Sequence, residues 1–258
     1  MTVTVAGLAL TAVKGTSLQA VPEVSLSESG VRENRRFFLI DEGDEMVNAL
    51  RLGELQRVVS RYSDQNRRLR LELPDGRILE DTVVLGSTVQ TKFYSERLPA
   101  SLVEGPWAAA LSEVIGKPVR LVEAGEDGAV DRGTAGAVSL ISRGSLKRLA
   151  SEGDLDEIDS RRFRMLIEVD GLEAHAEDSW VGRSARIGQA MVRFEGHVGR
   201  CAITTRNPST GVVDVATLKM LGRYRQDAET TEPVAFGIYG RVLEPGQVRV
   251  GDEVALAG

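Results

Sequence analysis

Apolar and polar residues alternate along much of the first third of the chain. TVTVAGLALTAV, residues 2–13, has the two-residue period of a half-buried strand. The same pattern predicts strands at RRFFLID (35–41), VVSRYS (58–63) and DTVVLG (81–86). RLRLELPDGRILE (68–80) reads as a hairpin, with Pro-Asp-Gly as the turn between its two arms. The period then changes. In SLVEGPWAAALSEVIG (101–116), Trp107, Leu111 and Val114–Ile115 fall near helical spacing, and Gly116-Lys117-Pro118 stops the helix. VRLVEA (119–124) returns to strand.

The second half repeats this alternation of elements. AVSLIS (137–142), FRMLIEVDG (163–171) and QAMVRFEGHVGRCAITT (189–205) predict strands. GSLKRLASEG (144–153) predicts a short helix ended by Gly153, and DLDEIDSRRF (154–163) a charged loop. DVATLKMLGRYRQ (214–226) predicts a helix with Asp214 as its N-cap and Val215, Leu218, Leu221 and Tyr224 near one face. The last 26 residues, 233–258, predict two or more strands around a Glu-Pro-Gly turn. Many short strands with Gly/Pro turns imply a barrel-rich, mainly β fold with peripheral helices. The helical stretch at 101–116 is the expected boundary between two β-rich units.

Composition narrows the function. The 258 residues are 42% hydrophobic and 27% charged, enough for a buried core. A net charge of -6 argues against nucleic acid as partner. The N-terminal apolar stretch lacks the basic residues that precede a signal-peptide core, and no run is long enough for a membrane span. The single cysteine, Cys201, excludes an intrachain disulfide and any cysteine-rich metal site. It suits a cytoplasmic protein. His175 and His197 are too far apart in sequence to suggest a metal pair and read as ordinary hydrogen-bonded residues. His197 would share a face with Cys201 if the strand carrying both were regular.

Cys201 carries the candidate chemistry. Arg200 and Arg206 place positive charge close to it in sequence, the setting in which reactive cysteines are found. Thr204, Thr205 and the Asn207–Gly211 turn add hydroxyls and backbone N–H groups suited to anions. These features leave open a nucleophile, a soft metal ligand and an inert small hydrophobe.

The segment RCAITTRNPSTGVVDVATLKMLGRYR (200–225) resembles the Arg-Cys-x-x-Thr-Thr-x-Asp/Asn-Pro-x-Thr-Gly stretch of MOSC-domain proteins. This is the molybdenum cofactor sulfurase C-terminal domain family, to which the mitochondrial amidoxime reducing component and its bacterial counterparts belong. AVKG (12–15), SESGVRENRRFFLID (27–41), FRMLIEVDGLEAHAEDSW (163–180) and EPGQVRVGDEV (244–254) resemble further family segments in the same order. The resemblance implies a MOSC-type β-barrel, residues 96–258, packed against an N-terminal β-barrel-like domain, residues 1–95, with interleaving of the two parts allowed.

It also implies a molybdenum cofactor, with Cys201 as the protein ligand to the metal. Lys14, Arg36, Arg164 and Arg200 match or flank cofactor-facing positions, and Thr204 and Thr205 lie in the cysteine segment. Ser142, Arg143 and Ser145 fall where relatives supply further polar contacts. Asp178 matches the aspartate of the Glu-Asp-x-Trp segment near the metal. The implied activity is a two-electron reduction that removes oxygen from an N-hydroxylated or related small molecule. Electrons would come from a separate donor, a ferredoxin or a flavin reductase. Gly15 stands where the family has serine, Leu50 where it has arginine, and Leu166 where it has asparagine. Those departures favour one alternative, a non-catalytic barrel with no cofactor; the other is a sulfur-carrier or cofactor-handling protein using a Cys201 persulfide.

Overall fold

Two large apolar cores, with two smaller apolar clusters beside them, organise the computed structural model, which describes residues 2–47, 52–93, 96–125 and 133–257. Leu50 and its neighbour Arg51 lie outside the described residues. The first stretch supplies β1 (Thr4–Leu10), β2 (Gln19–Val21), β3 (Glu23–Leu26) and β4 (Phe37–Ile40). It continues with β5 (Val59–Ser63), β6 (Arg68–Glu72), β7 (Ile78–Thr82), β8 (Val84–Phe93) and β9 (Glu96–Glu104). Helix α1 (Trp107–Ile115) and β10 (Arg120–Ala124) follow. Beyond them lie β11 (Val138–Ser142), α2 (Arg143–Glu152), β12 (Ile167–Asp170) and β13 (Ser184–Ile187). The chain ends through β14 (Ala190–Gly199), α3 (Thr217–Tyr224), β15 (Ala235–Glu244), β16 (Gly246–Arg249) and β17 (Val254–Leu256).

The largest sheet has the order β17-β13-β14-β15-β11-β12-β1-β2. The only parallel neighbours in it are β11 and β12, joined over α2 as a parallel pair requires. The N-terminal β1 and β2 therefore complete a sheet built mostly from the second half of the chain. Its ends curl together: Thr4 bridges to Glu253, and the Val254 N–H donates to the Val3 carbonyl at 2.8 Å. The ladder still stays open, and no sheet among the described residues closes into a barrel. The architecture is mainly β with peripheral helices, as the sequence pattern predicts. No helix among the described residues is long and apolar enough to cross a membrane.

Val5, Leu8, Leu140, Ile167, Phe194 and Ile238 are among the residues that fill the core on this sheet. Val5 and Leu8 are an odd number of positions apart, which strict alternation forbids. A register shift between Val5 and Gly7 in the β1–β12 ladder resolves this, because a bulge moves the following side chains to the other face.

The second core lies among the four-stranded sheet β4-β10-β9-β8, the three-stranded sheet β5-β6-β7 and α1. Trp107, Ala110 and Leu111 are the buried positions of α1, the i, i+3, i+4 stripe of an amphipathic helix. Gly116 ends it with φ 69°, a left-handed cap open to glycine. The predicted helix began too early. Residues 101–104 belong to β9, where Leu102 pairs with Val122 and Val103 with Leu85. Sheet pairing on both sides overrides local helical spacing there.

Trp107 is fully buried. Trp107→Ala should cost about 3–5 kcal/mol from lost burial and the cavity left behind. Urea unfolding followed by circular dichroism checks this; a loss below about 1 kcal/mol would place Trp107 outside the core.

Candidate functional site

Strand β14 stops two residues before the cysteine. At its end, Gly199 N–H donates to Glu232 Oε2 at 3.0 Å and Arg200 N–H to the Val234 carbonyl at 3.2 Å. The β14–β15 register shifts between His197 and Gly199. His197 is consequently buried while Cys201 is exposed, so the regular strand that would have put both on one face is absent. Cys201 has extended backbone, and Ala202–Thr205 forms a 3-10 turn after it. Its carbonyl accepts from the Thr204 N–H (3.2 Å) and the Thr204 hydroxyl (3.1 Å). The Thr205 hydroxyl donates to the Ala202 carbonyl at 2.7 Å. Hydroxyls that bond three residues back compete with a sheet ladder, which is why the expected strand through Thr205 gives way to a turn. Thr204 is also tied to the Thr217 hydroxyl at 2.7 Å, at the start of α3.

The loop beyond is fixed at both ends. Asn207 Oδ1 accepts from the N–H groups of Ser209 (2.9 Å) and Thr210 (3.1 Å). Gly211, at φ 74°, packs so closely on Gly53 that a Cβ would run into the Gly53 carbonyl. Asp214 does not cap α3. Its carboxylate takes a two-pronged hydrogen bond from the buried Arg162, Nη1 to Oδ1 at 2.7 Å and Nη2 to Oδ2 at 2.8 Å. Those bonds hold the Asp214 carboxyl below its ordinary range. Arg162 also donates to the Arg206 carbonyl at 2.7 Å, so one guanidinium closes the base of the cysteine loop.

A chain of contacts joins Cys201 to the N-terminal strands. The Arg200 guanidinium donates to the Phe236 carbonyl (Nε, 2.8 Å) and the Phe163 carbonyl (Nη1, 2.8 Å). It touches Met165 Sδ and lies 5.5 Å from the Phe163 ring centroid. Arg164, the next residue, has φ 54° and donates from Nη2 to the Thr16 carbonyl at 2.8 Å. Lys14 is two residues before Thr16, with its Nζ 5.5 Å from the Phe93 ring centroid. Arg200 thus reaches Phe163, and the next residue, Arg164, reaches Thr16, two residues beyond Lys14, while Thr204 and Thr205 close the turn that carries Cys201.

The other predicted residues are engaged elsewhere. Arg36 Nε donates to the buried Glu123 at 2.6 Å. Arg143 pairs with Glu168 at 2.7 Å and lines a cavity of about 200 Å³ whose walls do not include Cys201. The hydroxyls of Ser142 and Ser145 donate to Glu177, at 2.9 Å and 2.7 Å. Ser142 also caps α2 through the Ser145 N–H. Burial raises the Glu177 carboxyl despite these bonds.

Asp178 sits in the 3-10 turn Ala176–Trp180, where Arg225 Nη2 donates to its Oδ2 at 2.7 Å. Its other oxygen is 3.8 Å from His197 Nε2. Glu177, Arg162, Arg225 and Thr231 were not singled out from sequence, because their roles arise from partners 30 or more positions away. Among the described residues no group of three His, Cys, Asp or Glu is placed to hold a metal.

The structure thus presents an exposed thiol on a turn beyond a central strand, with Arg200 and Arg162 packed behind it in a mainly β fold. The model of the MOSC domain family matches residues 127–255, half of the chain, and the chain belongs to that family. It is 33% identical over 126 residues to mitochondrial amidoxime-reducing component 1 of Xenopus laevis, covering 46% of this chain and 36% of that protein. It is 34% identical over 125 residues to mitochondrial amidoxime-reducing component 1 of Homo sapiens, covering 43% and 36%. The match spans little more than a third of the length of these relatives. The crystal structure of the YUAD protein from Bacillus subtilis aligns over 99% of this chain and 96% of its own, at 12% identity and a TM-score of 0.49.

His175, beside this site, offers a pH test. Burial, aided by Arg225, lowers its pKa from 6.5 to about 4. A base with a lowered folded-state pKa stabilises the fold above its unfolded value. That contribution is lost as pH falls from 6.5 toward 4. His175→Asn removes the titration and tolerates the left-handed backbone at φ 63°. Its melting temperature should fall less than that of the wild type across this interval. Equal falls would contradict the assignment.

Proposed function

We propose that this protein holds a molybdenum cofactor through Cys201 and reduces N-hydroxylated or related oxygenated small molecules. The observation that carries the reading is the exposed thiol of Cys201, presented by a segment that resembles the family's cysteine motif. The names of the matched relatives, amidoxime-reducing components, point to the same reaction class.

The donor set fits such a group. The accessible thiol is a soft ligand, and no cluster of three protein ligands stands near to compete with it among the described residues. The cofactor's own sulfurs would supply further ligands to the metal. Lys14, and Arg164 through the donors it does not give to Thr16, would meet the cofactor's phosphate by charge-assisted hydrogen bonds, while Arg200, held by the Phe236 and Phe163 carbonyls, would support the turn that presents the thiol. Thr204 and Thr205 would act by holding the turn that presents the thiol. Arg36, Arg143, Ser142 and Ser145 would reach the group only by exchanging their present partners.

When bound, the cofactor supplies a two-electron redox centre for oxygen removal. The net reaction takes two electrons and two protons and releases the oxygen as water. Cys201 would give up its thiol proton on binding the metal, and the Asp178 carboxylate lies beside His197, on the strand that leads to Cys201. A separate ferredoxin or flavin reductase would deliver the electrons, in the cytoplasm. The chain would work as two interleaved units, 1–95 and 96–258, with the cofactor at their meeting line.

Cys201→Ser replaces a soft thiolate with a hard, mostly protonated hydroxyl. Reduction of an N-hydroxylated substrate with a reconstituted donor should fall by orders of magnitude. Full activity at unchanged molybdenum content would reject the thiolate as the working ligand. Arg164→Ala removes a charged hydrogen bond of about 1.5–3 kcal/mol, so pterin and metal content should drop about tenfold or more. Activity per bound molybdenum should change much less; a loss confined to that ratio would remove Arg164 from cofactor binding. An exposed single thiol also suits a sulfur carrier. A protein purified without metal or pterin, and carrying an adduct of about 32 Da on Cys201, would favour that function instead.

A further inference from the structure

Two buried polar atoms face each other without partners. Asp178 Oδ1 and His197 Nε2 are both shielded from solvent, and neither has a hydrogen-bond partner among the described residues. They are 3.8 Å apart. Leaving either buried atom unpaired is costly, and a shift of roughly 0.8 Å would satisfy both with one bond of ordinary length.

The protonation of the imidazole follows from its other side. The Thr231 N–H donates to His197 Nδ1 at 3.1 Å, and the His197 N–H donates to Thr231 Oγ1 at 2.8 Å. A ring nitrogen that accepts a backbone N–H carries no proton. A neutral His197 therefore has its proton on Nε2, pointing at the carboxylate. Burial lowers the pKa of His197, which favours that neutral form. Arg225 occupies the other carboxylate oxygen at 2.7 Å and is anchored by the Ala235 carbonyl at 2.9 Å. One contact would leave the carboxylate free to rotate about its terminal torsion; a second, on Oδ1, fixes its plane.

We infer that His197 is the positioning residue of Asp178: its Nε2–H, set by the Thr231 N–H on Nδ1, bonds to Oδ1 and fixes the carboxylate that Arg225 grips from the other side. His197 is four residues before Cys201, so the loop carrying Thr231 and Glu232 steadies both the thiol's strand and the carboxylate behind it. The catalytic consequence rests on the reductase reading; the contact itself does not.

The experiment has two arms. Nitrogen-15 NMR of the full chain without cofactor should show His197 with a bare Nδ1 and a protonated Nε2 whose hydrogen exchanges slowly. In Asp178→Asn that hydrogen's resonance should move upfield, because a neutral acceptor replaces a charged one. A proton on Nδ1, or an Nε2–H resonance unmoved by Asp178→Asn, overturns the inference. With the cofactor loaded, His197→Phe should lower kcat about tenfold or more at unchanged KM and molybdenum content. His197→Gln, which keeps an N–H near the Nε2 position, should recover most of it. Wild-type kcat in His197→Phe, or no recovery by His197→Gln, would remove the positioning role. A wild-type protein that never reduces substrate would sink the reductase reading, and the NMR arm would still decide the contact.

Discussion

The Arg200 guanidinium is the point on which the cysteine turn rests. Strand β14 must end early for Cys201 to reach solvent, and ending a central strand leaves neighbouring carbonyls without ladder partners. Arg200 satisfies one of them, on Phe236 in β15, and also takes the Phe163 carbonyl at the end of the 3-10 turn before Arg164. The geometry requires an absent side chain next to it. Gly237, at φ 81° within β15, would bring a Cβ against the Leu140 carbonyl and the Met165 methyl, with Arg200 next in line. Three segments distant in sequence meet at this one side chain, and the exposure of the thiol depends on their staying together.

Charge is distributed unevenly over the chain. On the β5–β6–β7 sheet, Arg61, Arg68 and Arg70 pair with Glu72 and Glu80 on an exposed face. Such exposed pairs contribute little to stability and are screened by salt. Near Cys201 the arginines are structural in a different sense. Arg162 joins Asp214 and the Arg206 carbonyl across the loop, while Arg35 and Arg164 reach the carbonyls of Arg164 and Thr16 across the line where the N-terminal residues meet the second half. Removing a buried partner of this kind leaves a charge or a carbonyl unsatisfied, a larger cost than the loss of a surface pair.

Much of the strand pattern was legible because it follows from local alternation and turn chemistry. The 68–80 hairpin, the Phe37–Ile40 and Arg120–Ala124 strands and the Glu-Pro-Gly turn at 244–246 lie where the pattern puts them. What could not be read locally was set by distant partners. Asp214 has the form of an N-cap, but a buried arginine 52 positions away takes its carboxylate. Ser142 and Ser145 look like anion ligands until Glu177 is folded onto them. His197 reads as an ordinary hydrogen-bonded residue because Asp178 and Thr231, which flank its ring, come from a turn and a loop on opposite sides of it in sequence. The cysteine segment was legible as a motif, while the 3-10 turn that exposes the thiol depends on hydroxyl-to-carbonyl bonds that strand periodicity does not encode.

X-ray absorption at the molybdenum edge of the cofactor-loaded protein tests the central claim most directly, because it counts sulfur neighbours at the metal. With Cys201 as ligand, the wild type should show one sulfur more than Cys201→Ser carrying the same pterin. Equal sulfur counts in the two proteins would contradict the account and leave the exposed thiol to another chemistry.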